Sequence, residues 1–305
     1  MENFLQKYLK ATKEMKKALH TTMLDMYVQG VSTRKVSKVI ENMCGKIYSK
    51  SFVSSLTKKF DEEVQLWKNC YLSRIKYPYV IVDVVYIKVR ENNRVVSKAC
   101  HIAIGINEKG NRQIIGLDLS DSESEYSWSK FFEYLKARGL SGVKMLISDA
   151  QKGLVKAIKE TFIKVICQRC QVHFLRNILS KAPKKNTEEF RNDIKSLFKI
   201  QDINLARKMK AEIFSKYEKE NKLQNSLNTP DEGFEDAFSY LANEVIHNRL
   251  KSTNCLERLN EEVRRREKVK RIFPNEESAL RLIGAILIDI NEDWITSSKL
   301  YIRVK

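Results

Sequence analysis

An α/β fold with a mixed β-sheet, preceded by an all-α region, is what this 305-residue sequence predicts. Apolar residues recur at helical spacing before residue 70, the apolar period falls to two from residue 79, and strand-like runs alternate with helical ones after residue 120. In the first region, "LHTTMLDMYVQG" ends at Gly30, a residue suited to the left-handed position that closes a helix. "STRKVSKVIENM" opens on Ser32 as its N-cap. "SKSFVSSLTKKFDEEVQLWKN" opens on another capping serine and is expected to run on as one long helix. Two short helices and a third that exposes Ser, Ser, Thr and Lys match a helix-turn-helix unit for DNA, a pattern that small structural bundles share.

From residue 79, "YVIVDVVYIKVR", "RVVSKACHIAIGI" and "RQIIGLDLS" read as three strands. The links "ENN" and "NEKGN" are short and carry Asn and Gly, which suits hairpin turns and makes the strands antiparallel neighbours. "SESEYSWSKFFEYLKARGL" is then a helix, capped by Ser122 or Ser124 and stopped at Gly139. "VKMLIS" is a strand, "KGLVKAIKETF" a helix and "KVIC" a short strand, and this alternation implies parallel pairing. Three antiparallel strands followed by β-α-β-α units describe a ribonuclease H-like sheet. Residues 174–250 lack strand character and read as charged helices separated by Asn- and Pro-containing loops, a helical insertion. "TNCLERLNEEVRRREKV" and "NEESALRLIGAILIDINEDW" are two closing helices. The expected division is a helix-turn-helix-like region at 1–70, the first part of a catalytic core at 71–174, a helical insertion at 175–250 and helices completing the core at 251–305.

Lysine and arginine outnumber acids 56 to 38, a formal charge of +18 that favours a polyanionic partner, nucleic acid above all. Six cysteines in a chain this long are too sparse for a disulfide scaffold. The N-terminus lacks a signal-peptide apolar core, and no apolar run approaches the roughly 20 residues of a membrane span. The expectation is a protein of a reducing compartment with no membrane partner.

Within "YVIVDVVYIKVR", Tyr79, Ile81, Asp83, Val85 and Ile87 share one strand face and Val80, Val82, Val84 and Tyr86 the other. A strand apolar on both faces is central, so Asp83 is expected to be buried and in need of a cation, a metal or a proton. An ion pair with an arginine is the plain alternative. Asp149 ends the run "VKMLIS", at a strand end where ligands gather in open α/β sheets, or else caps the helix beginning near Lys152. Glu257 lies on the border of a stripe formed by Leu256, Leu259 and Val263, or else completes a capping box with Asn254. Two strand aspartates and a helix glutamate in a basic chain suit a two-metal phosphoryl-transfer site. Mg²⁺ prefers hard oxygen ligands, and a pair of ions activates the attacking oxygen while stabilising the leaving one.

These residues sit in recognisable surroundings. "DVVYIKVRENNRVVSKACHIAIGINEKG", "VKMLISDAQKGLVKAI", "CQRCQVHFLRNIL", "TNCLERLNEEVRRR" and "IFPNEESALRLIGAIL" resemble, in that order, Mutator-type transposases of prokaryotic insertion sequences, over about residues 25–303. The resemblance implies a ribonuclease H-like core with a helical insertion before the glutamate. It also implies a catalytic D-D-E triad at Asp83, Asp149 and Glu257, which would hold two Mg²⁺ ions, with Mn²⁺ as a substitute. Transposon-end DNA and target DNA would be the partners, bound by a homo-oligomer in the cytoplasm, in association with the nucleoid. Cys170 and His173 match the family's C-x-x-H motif. Cys167 extends it to C-x-x-C-x-x-H, but a structural zinc needs a fourth ligand and none lies nearby in sequence. His173 is instead expected to lie with Arg169 and Arg176 on one helix face, toward DNA phosphate or bracing the active site. Arg264, Arg265 and Arg266 open the basic run "RRREKVKR" and are expected to contact phosphate, although positive charge also suits a solvated helix end. Two departures from the family stand out: a shorter N-terminal region, implying loss of part of the DNA-binding apparatus, and His247 where an aromatic residue is expected. The competing function is a transposase-derived protein that binds terminal repeats without productive catalysis.

Overall fold

The computed structural model describes residues 15, 18–45, 47–183, 185–242 and 248–303. Tyr79–Glu91 (β1), Arg94–Ile106 (β2) and Arg112–Ser120 (β3) form an antiparallel meander. Met145–Ser148 (β4) and Ile166–Arg169 (β5) add parallel strands on the far side of β1, giving the order β3-β2-β1-β4-β5. The tight turn after β1 works because Asn92 and Asn93 both adopt positive φ, 47° and 61°, which asparagine tolerates better than most residues. In the next turn, Oδ1 of Asn107 accepts the backbone N–H groups of Lys109 and Asn111 at 3.0 Å. β5 starts and ends two residues later than "KVIC" suggests. Arg169 is therefore a strand residue and not part of the helix that carries His173.

The two faces of β1 feed separate cores, as its alternation requires. Val80 and Val82 pack with Trp128, Phe131, Phe132 and Leu154 from the helices Glu125–Ala137 (α5) and Lys152–Thr161 (α6). Here α1 is the helix through residues 18–28, α2 is Thr33–Cys44, α3 is Lys50–Thr57 and α4 is Lys59–Lys68. Ile81, Val85 and Ile87 belong to a larger core on the opposite face. It includes Leu256, Leu259 and Val263 of Asn254–Lys270 (α12) and Leu282, Ile283 and Ile286 of Glu276–Thr296 (α13). Each such aliphatic side chain contributes about 1.5–3 kcal/mol on burial, so the sheet is anchored from both sides.

Residues 171–242 are helical, as expected: Gln171–Lys181 (α7), Glu188–Leu197 (α8), Ile203–Tyr217 (α9), Gln224–Ala237 (α10) and Ser239–Ala242 (α11). The Pro-containing loop expected ahead of Gly233 is instead part of α10, which passes through Pro230. Burial overrides propensity there. Leu227, Phe234 and Ala237 are buried, and a Cβ at Gly233 would stand 2.2 Å from the Arg169 guanidinium, which would have to shift.

The N-terminal helices α1, α2 and α3 enclose their own small core of Met23, Val36, Ile40, Val53 and Leu56. Gly30 closes α1 at φ 87°, and Ser32 caps α2 by accepting the Lys35 amide. The long helix expected from residue 49 is broken at Lys58 into α3 and α4. Ser55 and Thr57 hydrogen-bond back to the carbonyls of Phe52 and Ser54, and such back-bonding competes with helix continuation. Thr57 is consequently buried, so α3 exposes Lys50, Ser51, Ser54 and Ser55 but not the threonine. α4 packs on α13 through the Asp61–Arg281 pair, whose two hydrogen bonds are 2.6 and 2.8 Å.

Candidate active site

In the parallel pair, Tyr79, Val80 and Ile81 of β1 lie opposite Met145, Leu146 and Ile147 of β4. Carrying that register two residues further sets Asp149, the first residue past β4, opposite Asp83. Adjacent strands are about 4.8 Å apart. By the same parity both aspartates belong to the face of Ile81 and Ile147, which share the larger core. β4 stops at Ser148, so β1 loses its neighbour beside Asp83 and the sheet opens there. Asp83 is half-buried for this reason, rather than enclosed as its apolar surroundings suggest.

Two neutral donors hold Asp83: the Val84 amide reaches Oδ1 at 2.9 Å and Nδ2 of Asn260 on α12 reaches Oδ2 at 2.8 Å. The arginine ion pair weighed above is not the arrangement found. Burial pushes the Asp83 carboxyl up to about 6; Asp149 and Glu123 push the same way, opposed by the Val84 amide and His173. Glu257, in the first turn of α12, places Oε1 3.1 Å from Nε2 of His173. Neither acid has the capping role weighed for it, and no side chain caps α12. Gln151 caps α6 through the Leu154 amide, 2.6 Å away, and Thr253, not Asn254, precedes α12.

Cys170 ties the two helices together. Its sulfur accepts the amide and hydroxyl of Thr253, each at 3.3 Å, from the start of α7. Burial pushes the thiol up, but interactions with His173 and Thr253 outweigh it and hold the group below its ordinary value. His173 is pushed up to about 9, chiefly by the Cys170 sulfur against the opposing effect of burial, with Glu257 and Asp83 adding. These neighbours favour the protonated imidazole, which meets Glu257 at 3.1 Å. Among the described residues no three His, Cys, Asp or Glu side chains form a group that could hold a metal ion.

A family profile described as "Transposase, Mutator family" matches residues 2–297. The chain belongs to the Mutator family of transposases. It is 58% identical over 287 residues to the transposase for insertion sequence element IS256 in transposon Tn4001 of Staphylococcus aureus, covering 94% of this chain and 74% of that protein. Identity to the transposase for element ISRM5 of Rhizobium meliloti is 39%, covering 93% and 71%, and to that for IS1081 of Mycobacterium tuberculosis 34%, covering 94% and 69%.

On this Mutator-family chain the basic residues named from sequence divide sharply. Arg264 and Arg265 are exposed, the latter paired with Glu262 at 2.9 Å. Arg266 is buried, donates to Gln29 at 3.2 Å and packs on Gly30, so it docks the N-terminal helices onto α12 rather than meeting phosphate. Arg176 is exposed on α7, one turn from His173. Arg169 lies apart from that face, its guanidinium 4.2 Å from the Phe174 ring. Cys167 is among the partly buried residues packed against the core beneath α5 and α6, whereas the Cys170 sulfur meets Thr253. His247 lies outside the described residues.

Sequence reasoning missed Glu123 as a neighbour of the site, and the bond from Asn260 to Asp83. Glu123, just ahead of α5, accepts the Trp128 indole N–H at 3.3 Å and is pushed up by burial and by Asp149. A fully buried indole needs an acceptor, which is the clue its position in "SDSESEYSW" offers. Asn260 is a polar residue within the apolar stripe of α12, and its Oδ1 is buried without a partner.

Proposed function

We propose that the chain is a D-D-E transposase on a ribonuclease H-like core, with Asp83, Asp149 and Glu257 as its catalytic carboxylates. The observation that carries this reading is the register of β1 and β4, which brings two aspartates side by side where the sheet opens. The donor set fits Mg²⁺ or Mn²⁺: the ligands are hard carboxylate oxygens, the Asn260 carbonyl oxygen beside Asp83 lacks a partner, and burial, with Asp149 and Glu123 adding, raises the Asp83 carboxyl. Two bound ions would supply charge stabilisation for in-line displacement at phosphorus. The chain's own residues do the positioning. Asn260 orients Asp83, and His173 holds Glu257 on α12 until the site fills.

The substrates are transposon-end DNA and target DNA, and the chain acts on them as a homo-oligomer. Water oxygen forms a new bond to an end phosphorus and the bond to the 3′ oxygen breaks, freeing a 3′-hydroxyl. That hydroxyl then attacks a target phosphorus, its proton passing to solvent as the target 3′ oxygen leaves. The helices α1 to α3 read end sequence in helix-turn-helix fashion, through the exposed face of α3.

Incubation with end duplex and Mg²⁺ tests the reading. Wild-type protein should cut, and Asp83→Asn, Asp149→Asn and Glu257→Gln should bind the duplex with unchanged affinity yet fail to cut. Cutting by Asp83→Asn would move the active site elsewhere. A wild-type protein that binds ends but never cuts would favour the noncatalytic terminal-repeat binder, whose support here is that no three ligands stand assembled among the described residues.

A further inference from the structure

A groove of about 1050 Å³ lies between the start of α12, the end of α13 and the segment after it. Six cationic side chains line it, Arg112, Arg249, Lys251, Arg258, Lys299 and Arg303, against a single carboxylate, Asp293. Lys98, by contrast, faces Glu91, Asp121 and Glu276, and Lys216 faces Glu189 and Asp193. In the groove Arg112 meets rings instead of acids. Its guanidinium lies 3.9 Å from the centre of the Trp294 ring and 5.1 Å from that of Tyr301. Arg249 lies 5.3 Å from the same tyrosine ring and donates to the Tyr301 carbonyl at 2.6 Å. Burial pushes the Arg112 guanidinium down, with Arg249 and Arg258 contributing to the same effect.

Like charges crowded this way repel, and a bound polyanion relieves them. Aromatic stacking leaves the N–H edges of a guanidinium available, and those edges match phosphate oxygens. Location narrows the partner further. Arg258 follows Glu257 directly on α12, and Val172, which lines the groove, precedes His173. An extended polyanion lying here is long enough to run on toward the acidic site, as a nucleic-acid strand does and a free phosphate does not.

We propose that this groove grips the phosphate backbone of one DNA strand as it enters the acidic site, a contact independent of sequence. The proposal rests on the transposase reading. Lys251→Gln, Arg258→Gln and Lys299→Gln, combined in the full chain, should weaken binding to end and random duplexes alike. Fluorescence anisotropy in EDTA, titrated with salt, reads the effect without cleavage. Each lost phosphate contact removes about 0.9 from the slope of log affinity against log salt, so the slope should flatten by roughly 2–3. A control that removes three exposed lysines from α8, α9 and the residues just beyond, Lys195, Lys208 and Lys219, as Gln should keep the wild-type slope.

A groove variant with the wild-type slope, or a control that flattens equally, overturns the groove while leaving the transposase reading intact. A wild-type chain that binds neither duplex removes both. Should circular dichroism reveal a misfolded triple variant, Arg258→Gln alone, an exposed position, should flatten the slope by about 0.9, and no change there overturns the proposal.

Discussion

Replacing Asp83 with Asn should make the metal-free protein more stable. Burial, reinforced by Asp149 and Glu123, raises the carboxyl from 3.8 to about 6. A folded-state value above the unfolded one means that the folded chain keeps its proton longer. Stability therefore falls as pH rises from about 3.8 to about 6, and the whole penalty stands above that range. The displacement corresponds to about 3 kcal/mol at neutral pH, an upper bound for a half-buried group. Little is lost in exchange. The Val84 amide keeps an acceptor, and Asn260 can turn its unpartnered Oδ1 toward the introduced amide. Urea unfolding in EDTA at about pH 7.5 should show the variant about 1–3 kcal/mol more stable, with the gap closing near pH 4. Saturating Mg²⁺ should stabilise wild type alone, by mass action. A variant no more stable than wild type in EDTA would refute the reasoning, because burial of the charged carboxylate would then carry no cost.

Three further outcomes are expected. His101 is buried against Trp128, and burial pushes it down to about 4 from 6.5; its folded value lies below the unfolded one, so stability present above about 6.5 is lost as pH falls toward 4. Unfolding of His101→Gln across that range should be less pH-dependent than wild type, and an equal dependence would count against the assignment. Gly284→Ala would bring a Cβ to 2.5 Å from the buried Val64, so thermal melts should register a loss of about 1–3 kcal/mol; a neutral result would mean that α4 and α13 are not tightly packed. Arg266→Ala should destabilise by about 1–3 kcal/mol, whereas Arg264→Ala should leave stability within about 0.5 and lower DNA affinity; the reverse pattern would exchange their roles.

The sheet is legible in the sequence because its cues are local. Alternation assigns the faces of β1, Asn92 and Asn93 mark the turn, and Gly139 ends α5 with φ 94°. That Asp149 lies opposite Asp83 follows only from the register of β1 against β4, which the sequence leaves open. What local cues do not carry is contact between distant segments. The pairing of His173 with Glu257, the bond from Asn260 to Asp83 and the burial of Arg266 each join residues far apart in the chain. The same holds for α10, where Pro230 reads as a loop residue until the buried stripe of Leu227, Phe234 and Ala237 is in view. The break at Lys58 is of another kind: it depends on which side-chain hydroxyls turn back on the helix, a choice that sequence leaves open.

Anomalous scattering from Mn²⁺ in crystals of the chain bound to end DNA tests the central claim most directly. The account predicts two manganese peaks about 4 Å apart, bounded by Asp83, Asp149 and Glu257, with Glu257 released from His173. Manganese located away from Asp83 and Asp149, or an ordered end complex in which Glu257 still pairs with His173 and no metal lies between the aspartates, would contradict it.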